Sequence, residues 1–182
     1  ERRVVAEVAT LLPPLVQLEF EGRYAAMLSH EPKNYALLGF DGTLVLRGVA
    51  FRSSRSEPFG DRFLRPAIRN LLVGDVAGVR DDYLATIGAL RTRALPTHEL
   101  SSRIRLTKSP ADYLASRSKR KELPYEALLG AGQTTWSVGD RIRVYRKRDG
   151  TSGVISAPDE ESAGTDPRDY AIEYYERLLR TS

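Results

Sequence analysis

The chain has 182 residues, 41% of them hydrophobic, enough to fill the core of one medium domain or two small ones. It contains no cysteine, which excludes disulfide frameworks and thiolate metal sites, and His30 and His98 are its only imidazoles, too few for a zinc centre. Formal net charge is +4, but residues 101–150 carry 12 Lys and Arg against 5 Asp and Glu, net +7, whereas residues 1–100 are at +1 and residues 151–182 at −4.

Val4, Val5, Val8, Leu11 and Leu12 recur at helical spacing, and Pro13-Pro14 ends that run because proline lacks a backbone donor. In LVQLEFEGRY, Val16, Leu18 and Phe20 alternate with Gln17, Glu19 and Glu21, the period of a half-buried strand. Residues 24–29 read as a second strand after Gly22, and residues 33–40 and 43–48 as a hairpin turning at Asp41-Gly42. The first fifty residues therefore read as a helix beside a small antiparallel sheet. Residues 56–95 read as mainly helical, Phe59, Phe63, Ile68, Leu71 and Leu72 marking one segment with Pro66 as a kink or a later helix start. Val79, Tyr83, Ile87 and Leu90 mark another, which Pro96 stops. A boundary falls near residue 50.

Further along, RIRLT reads as a strand, SPADYL as a short helix capped by Ser109 with Pro110 at its first position, and ELPYEALLGAG as another short helix. DRIRVYRK enters a second hairpin at Asp149-Gly150, SAPDEESAG is a linker, and DPRDYAIEYYERLL is a last helix capped by Asp166. No run approaches the roughly 18 apolar residues of a membrane span, and ERRVVAEVATLL has neither an initiator Met nor a small-residue cleavage site. The expectation is a soluble, cytoplasmic, non-secreted chain taken from a longer protein.

Catalytic signatures are negative. Gly130-Ala131-Gly132 begins a GxGxxG, but Thr135 occupies the third glycine's place, and no P-loop or nucleophile elbow is present. Glu19 and Glu21 share a strand face and could chelate a cation, against the blander reading of a solvated polar face. The positive signals are cations interleaved with aromatic and hydroxyl residues: Lys33-Asn34-Tyr35, Arg52 to Arg55, Arg103 to Lys108, Arg117 to Lys121, and Arg141 with Arg143. On strands, Arg103, Arg105 and Thr107 point one way, as do Arg141 and Arg143, giving rows of donors suited to a phosphate backbone. The blander readings are an ordinary exposed hairpin for Arg143 and Arg146 to Arg148 and a mobile loop for Arg117 to Lys121.

Taken in order, QLEFEGRY, PKNYAL, LRGVAFRSSRSEPF, RIRLTKSPADYL, VGDRIRVY and DPRDYAIEYYERLL resemble the C-terminal part of family B DNA polymerases, over nearly the whole chain. The resemblance implies an α+β fold: a helix plus small antiparallel sheet ending the palm over residues 1–50, then a mainly helical thumb with a short β-hairpin over residues 51–182. It implies that Lys33 and Tyr35, a Lys-x-Tyr pair, contact primer-template near the primer end. Thr107 and Lys108 match a thumb Thr-Lys, and Arg141 lies in the matching GDRI, so that Arg52, Arg55 and Arg105 complete the expected DNA-binding set. Ala50 stands where many members have an acidic residue, and Ser53-Ser54-Arg55 where they have Arg-Arg-Asp.

The DTDS-like metal motif and the NSxYG-like fingers motif of that family do not occur in the chain. The resemblance then implies a non-catalytic grip that binds no cofactor itself, with Mg²⁺ held in the full-length enzyme. Its partners would be primer-template duplex and the remaining palm, fingers and exonuclease parts, with no membrane, and an isolated fragment is open to dimerisation. The rival readings are a free-standing module binding nucleic acid or an acidic protein, and a small metal-dependent enzyme built on Glu19 and Glu21.

Overall fold

The computed structural model describes residues 2–13, 15–17, 19–48, 57–155 and 166–181. Helix α1 (Arg2–Ala9) is followed by β1 (Ala26–Glu31), β2 (Asn34–Leu38) and β3 (Leu44–Arg47), an antiparallel sheet in the order β1-β2-β3. Asp41-Gly42 makes the second turn: Gly42 adopts φ 79°, Gly39 N–H donates to the Thr43 carbonyl at 2.8 Å, and Asp41 accepts from the Thr43 amide and hydroxyl at 2.9 and 2.8 Å. Thr43 holds the Asp41 carboxyl below the usual carboxylate range.

Among the described residues the strand expected over Val16 to Phe20 is not formed. Its described residues are irregular and exposed, Val16 at 50% and Phe20 at 54%. Alternation makes a strand only where a neighbour satisfies the backbone and covers the apolar side, and the sheet's three strands do not include this segment.

Helix α2 (Pro58–Leu72) runs through Pro66 without a break and lays Ile68 on Ala36 and Leu46 of the first sheet, with Leu64 and Leu72 beside them. The Gly74 turn, at φ 80°, returns the chain into α3 (Val76–Arg91), whose Asp75 cap accepts from the Gly78 amide. A 3₁₀ turn (Thr97–Leu100) leads into β4 (Ser102–Arg105), which pairs with β5 (Arg141–Arg146), and β5 pairs with β6 (Ser152–Ile155). The expected strand and hairpin are thus one three-stranded antiparallel sheet. Between β4 and β5 lie α4 (Pro110–Ser116) and α5 (Leu123–Gly130).

The period of two divides this second sheet's side chains between two cores. Ile142 and Val154 face Leu106, Tyr113, Tyr125 and Leu128, whereas Tyr145 and Ile155 face Phe59, Leu90, Leu100, Tyr170 and Tyr175. Gly153 lies directly across from Tyr145, and a Cβ there would enter the tyrosine ring. Helix α6 (Ile172–Arg180) closes the second core with Tyr175 and Leu179.

Asp166 does not cap that helix, whose N-cap is Ala171. Tyr170 instead forms an antiparallel bridge with Lys147, and Arg168 just before it adopts φ 43°. Asp166 accepts hydrogen bonds from the Thr97 amide and hydroxyl. Burial opposes its ionisation, but Thr97 and Arg168 outweigh that and hold its carboxyl below the usual range. No described helix is long and apolar enough to cross a membrane. The boundary expected near residue 50 lies at the edge of residues 49–56, outside the described part.

Candidate nucleic-acid interface

Lys33 occupies the tip of the β1–β2 hairpin. Proline fixes φ near −65° at position 32, and Lys33 follows at φ 68°, the pattern of signs of a type II turn. Such a turn matches strand twist less well than the primed types. The ladder absorbs the difference at His30, where the register slips between Ser29↔Tyr35 and Glu31↔Asn34. Lys33 is exposed, and it does not share a strand face with Tyr35 as its spacing suggests, because the turn intervenes. Tyr35 sits on β2, half-buried, directly opposite the exposed Arg47 of β3.

Gly48 supports this arrangement from beneath. At φ 102° it lies so close to the turn that an added Cβ would come within 2.5 Å of the Lys33 carbonyl oxygen and 2.8 Å of the Asn34 Cα. Arg52 and Arg55 lie outside the described residues.

On the second sheet the structure places Arg105 directly opposite Arg141, and Arg103 directly opposite Arg143. Arg103, Arg105 and Arg141 are exposed, and Arg143 is half-buried with its Nη1 3.4 Å from the Ser101 hydroxyl. Like charges facing across a ladder are unfavourable. Among the described residues no carboxylate pairs with Arg103, Arg105 or Arg141. The two facing arginine pairs therefore leave a repulsion that a bound anion would relieve.

Thr107 and Lys108 continue from β4 into a tight connection that one side chain organises. The Tyr125 hydroxyl accepts from the amides of Thr107 at 3.0 Å and Lys108 at 2.9 Å. Trp136 Nε1 donates to the Lys108 carbonyl at 2.9 Å, and Ser109 with Asp112 forms a capping box on α4. Thr107 is exposed. Lys108 is engaged: its Nζ lies 2.6 Å from Glu122 and 3.3 Å from the Ser116 hydroxyl, so a phosphate reaching it must displace or share that carboxylate. A hollow of about 400 Å³ opens here, lined among others by Arg105, Thr107, Glu122 and Tyr125.

Behind it, Arg117 donates to both Glu126 oxygens at 2.7 and 2.9 Å, and the Tyr113 hydroxyl donates to the same carboxylate. These bonds, Arg117 first, hold the Glu126 carboxyl down at about 2. Burial and the Glu126 contact push the Tyr113 hydroxyl up, keeping it a donor.

Arg105 and Arg141 thus pair on the second sheet, with Thr107 and Lys108 in the connection that leaves β4, while Lys33 and Tyr35 belong to the first sheet's turn and second strand. The cross-strand match of arginines and the roles of Tyr125, Trp136 and Glu122 are not legible from spacing, because each joins segments far apart in the chain. Glu19 and Glu21 are exposed on irregular backbone. Among the described residues no three His, Asp or Glu side chains gather where they could hold a metal ion.

No protein-family model matches the chain, and no curated protein does. A solved structure does: the family B DNA polymerase from the hyperthermophilic archaeon Pyrobaculum calidifontis, at a TM-score of 0.67 and 16% identity. The match covers 98% of this chain and 23% of that one. The chain has the fold of a part of that polymerase. At this identity the likeness speaks to fold alone, and the polymerase is more than four times as long as the stretch matched.

Proposed function

We propose that the chain is a piece of a template-directed, family B-like DNA polymerase, comprising the end of the palm in residues 1–50 and the thumb in residues 51–182. It grips primer-template duplex by the phosphate backbone. The observation that carries this reading is the fold likeness along 98% of the chain, joined to an arginine ladder that no described carboxylate neutralises. Arg105 and Arg141 hold phosphates on the second sheet, and Thr107 and Lys108 do so from the connection that follows β4. Lys33 and Tyr35 reach the duplex near the primer end from the first, and Arg52 and Arg55 belong to the same set.

Binding of this kind is sequence-independent, because its free energy comes largely from counterions released by the phosphates. Nucleotide transfer belongs to parts of the polymerase beyond this chain, which hold Mg²⁺ and the incoming nucleotide, and the chain alone is inactive. Leu11 and Leu15 are exposed at 83% and 97%, apolar side chains of the kind that the remaining palm, or a second copy of an isolated fragment, would cover.

The test is fluorescence anisotropy with labelled primer-template at low salt. Lys33→Ala weakens binding by about 1 to 3 kcal/mol, the range of a charge-assisted hydrogen bond. Arg105→Ala combined with Arg141→Ala weakens it at least as much. Unchanged affinity in both variants would sink the assignment.

A further inference from the structure

A second cationic feature lies at the other end of β5, roughly 17 Å from Arg141 at about 3.4 Å per residue. It is a cleft of about 480 Å³ between the β5–β6 turn and α6, half open to solvent. Arg93, Arg146, Lys147, Arg148 and Arg177 line it, and Glu173 is the one carboxylate among the lining side chains.

These cations fall into two sets. Arg93 and Arg146 are fixed: Arg93 donates to the Tyr170 carbonyl at 3.0 Å and lies 5.1 Å over the Tyr170 ring, and Arg146 donates to the Gly150 carbonyl at 3.0 Å. Arg148 and Arg177 are exposed, and neither has an ion-pair partner among the described residues. Lys147 is shared with Asp169 at 3.5 Å. Tyr174, 38% exposed, adds an aromatic ring with the Arg146 guanidinium 5.5 Å from its centre.

Guanidinium groups match the paired oxygens of a phosphate better than lysine does, and cations strung along an open cleft beside an exposed aromatic are what a single nucleic-acid strand requires. A duplex is too wide to enter a cleft of this size. We propose that this cleft is a second nucleic-acid site, separate from the Arg105–Arg141 ladder, that holds a single strand by its phosphates. Arg148 and Arg177 make the contacts that form on binding, while Arg93 and Arg146 supply fixed positive charge.

The test uses the 182-residue chain with a labelled oligothymidylate, a blunt duplex and an oligoglutamate peptide of matched charge. Arg148→Ala with Arg177→Ala weakens oligothymidylate binding about tenfold and lowers its salt slope by about 1.4, two single-strand phosphate contacts' worth. Duplex binding stays within about twofold, and the exposed positions leave the thermal midpoint unchanged. Glu173→Gln, which removes the one carboxylate, tightens oligothymidylate binding. Arg105→Ala with Arg141→Ala shows the reverse preference, weakening duplex, so failure of the ladder reading and failure of the cleft reading are distinguishable. Equal loss for both nucleic acids, no loss for either, or tighter binding of oligoglutamate than of oligothymidylate would overturn the proposal.

Discussion

Tyr125 shows how one hydroxyl can decide the shape of the Thr107–Lys108 connection. It accepts from two consecutive amides, those of Thr107 and Lys108, while its ring stacks on Tyr113 with centroids 4.5 Å apart. Tyr125→Phe keeps the stacking and removes the acceptor, so it costs about 1 to 3 kcal/mol in denaturant unfolding, and it weakens duplex binding through Thr107 and Lys108 without touching the ligand. Unaltered stability in that variant would contradict this role. Glu126 gives a pH-dependent counterpart. Its folded-state value near 2 lies below the ordinary 4.5, so the stability it contributes is complete above about 4.5 and fades as pH falls toward 2. Glu126→Gln is therefore less stable than the parent chain at pH 7, and the gap between their thermal midpoints closes in acid. Neither role is legible in sequence, where Tyr125 and Glu126 are two positions on a short helix and their partners lie 9 to 18 residues away.

At the level of elements, the legible features are those whose cause is local. Asp41-Gly42 turns the hairpin through its own side chain and a positive φ, and Ser109-Pro110 with Asp112 starts α4 through a box contained in four residues. Alternation over Val16 to Phe20 misleads because a strand also needs a neighbour. The Asp166 cap misleads because the Thr97 amide and hydroxyl, some 69 residues away, compete for the same carboxylate. Lys33 is the subtler case: a spacing of two implies a shared face only on a continuous strand, and Pro32 converts the position into a turn held at φ 68°. Gly48 keeps that turn in place, so Gly48→Ala must push the Lys33 carbonyl away or abandon its own φ of 102°. The variant should show shifted amide resonances across residues 32–36 and weaker primer-template binding, with the second sheet's resonances unmoved. An unperturbed β1–β2 turn would contradict the packing described for Gly48.

For the molecule as a whole, the charge imbalance visible in residues 101–150 acquires geometry only when β4 meets β5. The sequence separation between Arg105 and Arg141 is bridged by two helices that bury Tyr113, Tyr125 and Leu128 behind the sheet, leaving the arginines in front. The two sheets and the three apolar clusters make one support for cations that lie far apart in the chain. The α+β character and most helices follow from periodicity. Which cations face one another follows from register, which no local pattern supplies.

The salt dependence of duplex binding tests the central claim most directly. A backbone grip through at least four phosphates gives a plot of log affinity against log salt with a slope of about −3.6 or steeper, the same for unrelated duplex sequences. A shallow slope, a preference for one sequence, or no binding at low salt would contradict it.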